Sequence, residues 1–107
     1  MQLTEKPTVI PARHQSGLDR ILAFLSIQCD ELRVSWDPTG PKVQARPKAM
    51  LDHFGEPLPP PHRAELDAPD MMIHGMAKSV DVRPDGLVIE TPGGLVVLVS
   101  WLPPRRA

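Results

Sequence analysis

The chain has 107 residues and carries 12 Lys and Arg against 13 Asp and Glu, a net charge of −1. This length fits one domain with one modest core, and the near-balanced charge excludes a whole-chain field that would attract nucleic acid or an anionic membrane. The single cysteine, Cys29, excludes an intramolecular disulfide and a multi-cysteine metal cluster.

The composition also bears on the source and the compartment. Fourteen prolines with no asparagine and no tyrosine match the bias of a GC-rich bacterial or phage genome. The first residues lack the basic and apolar regions of a secretory signal, and the longest apolar run, residues 95–99, is far shorter than the ~20 residues that span a bilayer. We therefore expect a cytoplasmic protein that does not enter a membrane.

The predicted organisation has three parts. Residues 1–15 form a flexible N-terminal arm, residues 16–102 a single domain with a proline-rich loop at about 55–70, and residues 103–107 a basic tail. Ser16 has the side chain of a helix cap. Apolar residues then recur at three- and four-residue steps from Leu18 to Cys29, which predicts an amphipathic helix over 17–29.

A hairpin is predicted next. Residues 32–36 alternate between apolar and polar side chains, as in a strand with one buried face. Residues 37–40 suit a turn, and a second strand follows at 42–46. Because Pro41 and Pro47 cannot donate to a ladder, this second strand is predicted at an edge of the sheet.

The middle of the chain is predicted to lack long regular elements. Residues 48–54 suit a helical turn or two, with Met50, Leu51 and Phe54 facing inward. Residues 57–61 read as polyproline II within the long loop, and residues 71–77 read as a strand with a bulge at Gly75.

Three β-branched runs, 80–83, 87–91 and 95–101, are separated by the turn tripeptides 84–86 and 92–94, which predicts an antiparallel meander. The fold class is therefore α+β: one N-terminal amphipathic helix packed on an antiparallel sheet of about five strands, either open or partly closed into a small barrel. The last run is apolar at consecutive positions, so both faces of that strand are predicted to leave water. If Val96 and Leu98 were exposed to solvent, or if this run were helical, this prediction would fail, and the case that the protein works by docking would fail with it.

One helix covers only one face of such a sheet. The second face requires closure into a barrel, coverage by residues 50–54 and 71–76, or a second chain. No histidine pair, activated cysteine or nucleophile elbow is present, so we assign no catalytic, cofactor or metal-binding residue. The leading prediction is a non-enzymatic bacterial or phage protein that binds another protein or itself, as an adaptor, inhibitor or assembly component. Its predicted partner-binding residues are Met72, Met76, Val96, Leu98 and Trp101.

Two alternatives come from other classes. A small barrel could bind nucleic acid through the basic hairpin, with Arg33, Lys42, Arg46 and Lys48 along the phosphates. A small enzyme or enzyme subunit could instead use His74 with Asp81 or Glu90 as its titrating groups.

Overall fold

The computed structural model describes residues 12–103 and confirms the α+β class, with two helices and an open five-stranded sheet. The helices and strands, in chain order, are α1 (Ala12–Gln28), β1 (Cys29–Asp37), β2 (Gly40–Pro47), α2 (Pro60–Ile73), β3 (Ser79–Arg83), β4 (Gly86–Glu90) and β5 (Val96–Trp101). Most of the predicted arm and the tail beyond residue 103 lie outside the described residues.

The strands are arranged in the order β1-β2-β5-β4-β3. The hairpin β1-β2 and the meander β3-β4-β5 are antiparallel, as predicted, but β2 and β5 pair in parallel, so the sheet is mixed. The prediction that β2 is an edge strand is wrong, because Pro41 and Pro47 lie near its two ends and leave the N–H groups between them free to pair. The sheet does not close into a barrel, since β1 and β3 remain its edges.

Helix α1 begins before the predicted residue 17, so Ser16 lies within the helix and is not its cap. Residues 12–15 of the predicted arm are therefore helical. The helix buries Leu18, Ile21 and Leu25, as the periodicity predicts. It ends at Gln28, whose carbonyl accepts a hydrogen bond from the Lys48 N–H at 2.9 Å, and Cys29 begins β1.

Helix α2 replaces much of the predicted proline-rich loop at 55–70 and part of the predicted strand at 71–77, and both predictions are wrong there. Pro60 and Pro61 occupy the first turn, where a helix does not need their missing N–H groups. Ala64, Ala68 and Met71 then recur at helical spacing and are buried. The helix thus starts within the polyproline run itself.

Residues 48–54 do not form the predicted helical turn. Leu51 and Pro57 form an isolated bridge, and the Asp52 carboxylate accepts hydrogen bonds from the N–H groups of Phe54 at 2.8 Å and Glu56 at 2.9 Å. This turn holds the Phe54 side chain 89% exposed, contrary to its predicted inward position.

Both helices pack on the same face of the sheet and run antiparallel to each other. Near the end of α1, Arg63 Nη2 donates to Gln28 Oε1 at 2.5 Å, and Arg20 Nη2 donates to the His74 carbonyl just past α2 at 2.9 Å. Between the layers lies one core, which the helices share with these buried strand residues: Val43, Ala45, Leu87, Ile89, Val97 and Val99. The second face of the sheet carries no helix within residues 12–103.

Candidate interaction surface

We define the open face as the set of strand side chains that alternate with the buried core positions. Directly paired residues share a face, so the register assigns its members strand by strand. They are Glu31, Arg33 and Ser35 on β1; Lys42, Gln44 and Arg46 on β2; Val96, Leu98 and Ser100 on β5; Val88 and Glu90 on β4; and Ser79, Asp81 and Arg83 on β3.

The centre of the open face is apolar and uncovered by the described residues. Val96 is 42% and Leu98 36% exposed, while their neighbour Val88 is half-buried. The prediction that β5 is hidden on both sides is therefore wrong for the single chain. Neither α2 nor the turn around Phe54 covers this face, because α2 joins the helical layer and the Phe54 side chain is exposed. The case for docking rests instead on the order of side chains across the face.

Of the five predicted partner-binding residues, the structure brings only Val96 and Leu98 together on the open face. Met72 lies on α2 and is 45% exposed, whereas Met76 and Trp101 pack against the core between helices and sheet. Val88, which sequence reasoning missed, joins Val96 and Leu98 instead. Pairing the last two runs across the 92–94 turn could have found it, because that register sets Val88 directly opposite Leu98.

On the β1-β2 side, three of the four basic residues predicted for nucleic acid share the open face: Arg33, Lys42 and Arg46. Glu31 lies between the two arginines and accepts hydrogen bonds from both. These bonds, from Arg46 and then Arg33, lower the pKa of the Glu31 carboxyl. The Glu31 carboxylate therefore offsets one of these three positive charges. Lys48 follows β2 and is exposed.

The remaining charges of this face are nearly balanced. On β3, Arg83 Nε donates to the Asp81 carboxylate at 2.9 Å, and on β4 the Glu90 carboxylate lies 4.0 Å from Lys78 Nζ. His74, the third member of the enzyme alternative, is an exposed residue at the end of α2 and is not on a strand as predicted. Both carboxylates of that alternative are thus engaged by basic side chains.

A cleft of ≈ 520 Å³ lies beside the open face, between the end of β2 and the segment 57–60. Its walls are mostly proline and leucine, and Arg46, Lys48, Arg63 and Asp30 add charge. The arginines serve the fold, because Arg46 Nε donates to the Pro103 carbonyl at 2.9 Å and Arg63 Nη1 to the Lys48 carbonyl at 2.9 Å. The cleft is therefore a product of how α2 is tied to the sheet, and we do not assign it a ligand.

Cys29 is buried in the core, and burial raises the pKa of its thiol from 9.0 to about 11, opposed in part by Arg63. Such a thiol is a poor nucleophile at neutral pH. Across residues 12–103, no three His, Cys, Asp or Glu side chains are placed to share a metal ion. None of the helices formed in that range has the length and apolar character needed to span a bilayer.

Comparison of the chain with known protein families, with curated proteins and with solved structures found no match.

Proposed function

We propose that this chain is a non-enzymatic protein that works by binding another protein through the open face. The observation that carries the proposal is the uncovered apolar centre of Val88, Val96 and Leu98 within a rim of charged and polar side chains. Protein interfaces have this anatomy, with an apolar centre that excludes water and a polar rim.

The helical layer provides a control position for Leu98. Leu66 on α2 is also an exposed leucine, at 53%, and it lies on the other side of the molecule. Scattered exposed apolar side chains are normal on monomers, and Ile73 on the same helix is exposed as well, at 76%. A difference in behaviour between positions 98 and 66 is therefore specific to the open face.

The test places a photoreactive amino acid at position 98 or 66 of the full chain, expressed in cells of its source. We expect discrete crosslinked adducts from position 98, and few from position 66. Adding Leu98→Lys to a chain with the photoreactive group at position 96 should abolish its adducts, because a charge at the apolar centre opposes docking. Equal crosslinking from positions 98 and 66, or none from either, would overturn the proposal.

Nucleic-acid binding is the second candidate, since Arg33, Lys42 and Arg46 share one side of the same face. Phosphate contacts through these residues would make retention on DNA fall steeply with salt. Against this, the Glu31 carboxylate pairs with both arginines and offsets one of the three positive charges. Trp36 and Trp101, the aromatic side chains of these strands, pack against the core on the other face. DNA retention that is lost in Lys42→Ala would favour this candidate, and no retention at low salt would remove it.

A further inference from the structure

The outer edge of β1 presents backbone groups that have no partner in the sheet. β1 has nine residues and is paired on one side only, with β2. On β2, the Ala45 carbonyl accepts a hydrogen bond from the Leu102 N–H at 2.7 Å, so the backbone of Ala45 points away from Leu32, the residue opposite it. Because opposite residues of an antiparallel pair alternate between bonded and non-bonded, the N–H and C=O groups of Leu32, Val34 and Trp36 all point outward.

Pro41 agrees with this assignment, since it lies opposite Trp36 and has no N–H to donate. Within residues 12–103, no backbone group hydrogen-bonds to the outer side of β1. The edge therefore offers three N–H donors and three C=O acceptors, one of each at every second residue.

The same three residues carry apolar side chains on the helical side of the sheet. Leu32 and Trp36 pack against the core, whereas Val34 between them is 43% exposed because the helices do not cover it. From Leu32 to Trp36 the strand contains no proline, glycine or lysine, and its irregularity in register lies earlier, between Cys29 and Glu31. The devices that usually block a sheet edge are therefore missing from this stretch.

The other edge of the sheet is different. β3 has only five residues, Ser79–Arg83, and α2 packs against it. Short edge strands and edges covered by a helix are two of the ways in which proteins prevent further pairing. β1 is therefore the edge that remains open to another strand.

We propose that the outer edge of β1 binds an extended segment of another protein, which adds a strand to the sheet. An extended backbone is what supplies donors and acceptors at two-residue spacing. The residues of the segment that lie opposite the outward-pointing positions share the helical side, so they are apolar and cover Val34. The residues between them lie beside Arg33 and Ser35 and are polar. This site goes beyond the function proposed above, because it is separate from the apolar centre of the open face.

A second copy of this chain fits the edge less well. Antiparallel pairing of all nine residues of β1 with those of a second copy would be centred on Arg33. It would set two arginines directly opposite each other, and like charges in that position destabilise a ladder. A segment of a different protein has no such constraint.

The test uses a synthetic peptide and depends on which of its N–H groups are free. In a docked segment, the residues whose side chains lie beside Val34 are also the residues whose N–H groups point at β1. The probe is a heptapeptide of alternating threonine and valine, N-methylated at its threonines, which also keeps it from growing into fibrils. The control is the same peptide N-methylated at its valines.

We expect the threonine-methylated peptide, added in excess to the full chain, to shift the amide NMR signals of Leu32, Val34 and Trp36 and to slow their hydrogen exchange. The valine-methylated peptide should leave these signals unchanged, because its methyl groups occupy the edge that must meet β1. The two peptides have the same composition, so non-specific apolar contact predicts equal effects.

Two adjacent proline substitutions test the edge from the side of the protein. Val34→Pro removes an N–H that points outward, so the chain should fold and bind the peptide about tenfold or more weakly. Ser35→Pro removes an N–H that points at β2 and should destabilise the fold instead. Val34→Lys is a second edge variant that keeps the backbone N–H, and Leu98→Lys, on the open face, should bind the peptide like the unmodified chain. Circular dichroism verifies folding.

The inference is overturned if both peptides act equally, if neither acts, or if the shifts fall on β3. Slow exchange of the three outward amides before any peptide is added would show that the chain covers its own edge, and would overturn it too. Self-association that is lost in Val34→Pro would replace the other protein by a second copy. None of these results bears on the crosslinks expected from position 98.

Discussion

Gly86→Ala should destabilise the fold severely, because Gly86 lies against the backbone of the neighbouring strand. A Cβ at this position would lie 1.8 Å from the Val99 carbonyl oxygen and 3.1 Å from the Ser100 Cα. Real Cβ contacts stay beyond 3.0 Å, so the start of β4 and the end of β5 must separate by roughly 1 Å. Overpacking and the weakened ladder together cost about 3 kcal/mol.

Gly17→Ala is the matched control. A Cβ at Gly17 meets the Thr91 side chain at 3.5 Å, an ordinary contact. Gly17 is inside α1, where alanine is favoured over glycine by about 0.5–1 kcal/mol. The two identical chemical changes should therefore have opposite signs. Urea denaturation measures the free energy of unfolding, and the melting temperature of Gly86→Ala should fall by roughly 10–20 °C. If Gly86→Ala is as stable as the unmodified chain, the β4-β5 register is incorrect.

Three further predictions concern titration and the contact between helices. Folding raises the pKa of the Cys29 thiol from its ordinary value of 9.0 to about 11, so the free energy of unfolding should fall as the pH rises from 9.0 towards 11. Urea denaturation at each pH measures this fall, which should be smaller in Cys29→Ala. Because folding lowers the pKa of the Glu31 carboxyl, its charged form stabilises the fold above pH 4.5, its ordinary pKa, and this contribution should be lost as the pH falls below that value. In the same assay, the stability of Glu31→Gln should depend less on acid. Arg63→Met removes two hydrogen bonds that tie α2 to α1 and to the residue after β2, and should lower the free energy of unfolding by about 1–3 kcal/mol. Arg20→Met, which removes one exposed bond, should cost less; an equal loss would contradict the assigned role of Arg63.

The meander could be predicted because its signals are local. Turn residues at 84–86 and 92–94 separate β-branched runs, and each hairpin sets its own register. The parallel pairing of β2 with β5 could not be predicted, because the two strands are far apart in sequence and no turn connects them. The prediction that β2 is an edge strand was wrong because Pro41 and Pro47 mark where the strand begins and ends. They carry no information about which strands lie beside it.

The sequence did not predict helix α2 because the first turn of this helix begins with two prolines. A run of proline excludes a helix interior but is compatible with a helix start. The buried spacing of Ala64, Ala68 and Met71 was present in the sequence, yet alanine is too small to make a strong apolar stripe. The error affected the predicted site as well, because Met72 and Met76 were expected on a strand and were grouped with Val96 as partner-binding residues.

The alternation of side chains along β5 decides what the open face exposes. Three partly exposed aliphatic side chains are within what a monomer tolerates, so burial alone does not require a partner. The alternation of β5 puts Val97 and Val99 in the core and leaves Val96 and Leu98 outside, which explains its consecutive apolar run without a second cover. The charged side chains at the rim already have partners within the chain: Arg83 Nε donates to the Asp81 carboxylate, and Lys42 Nζ donates to Thr39 Oγ1 at 2.7 Å. A test of docking therefore belongs at the apolar centre of the face.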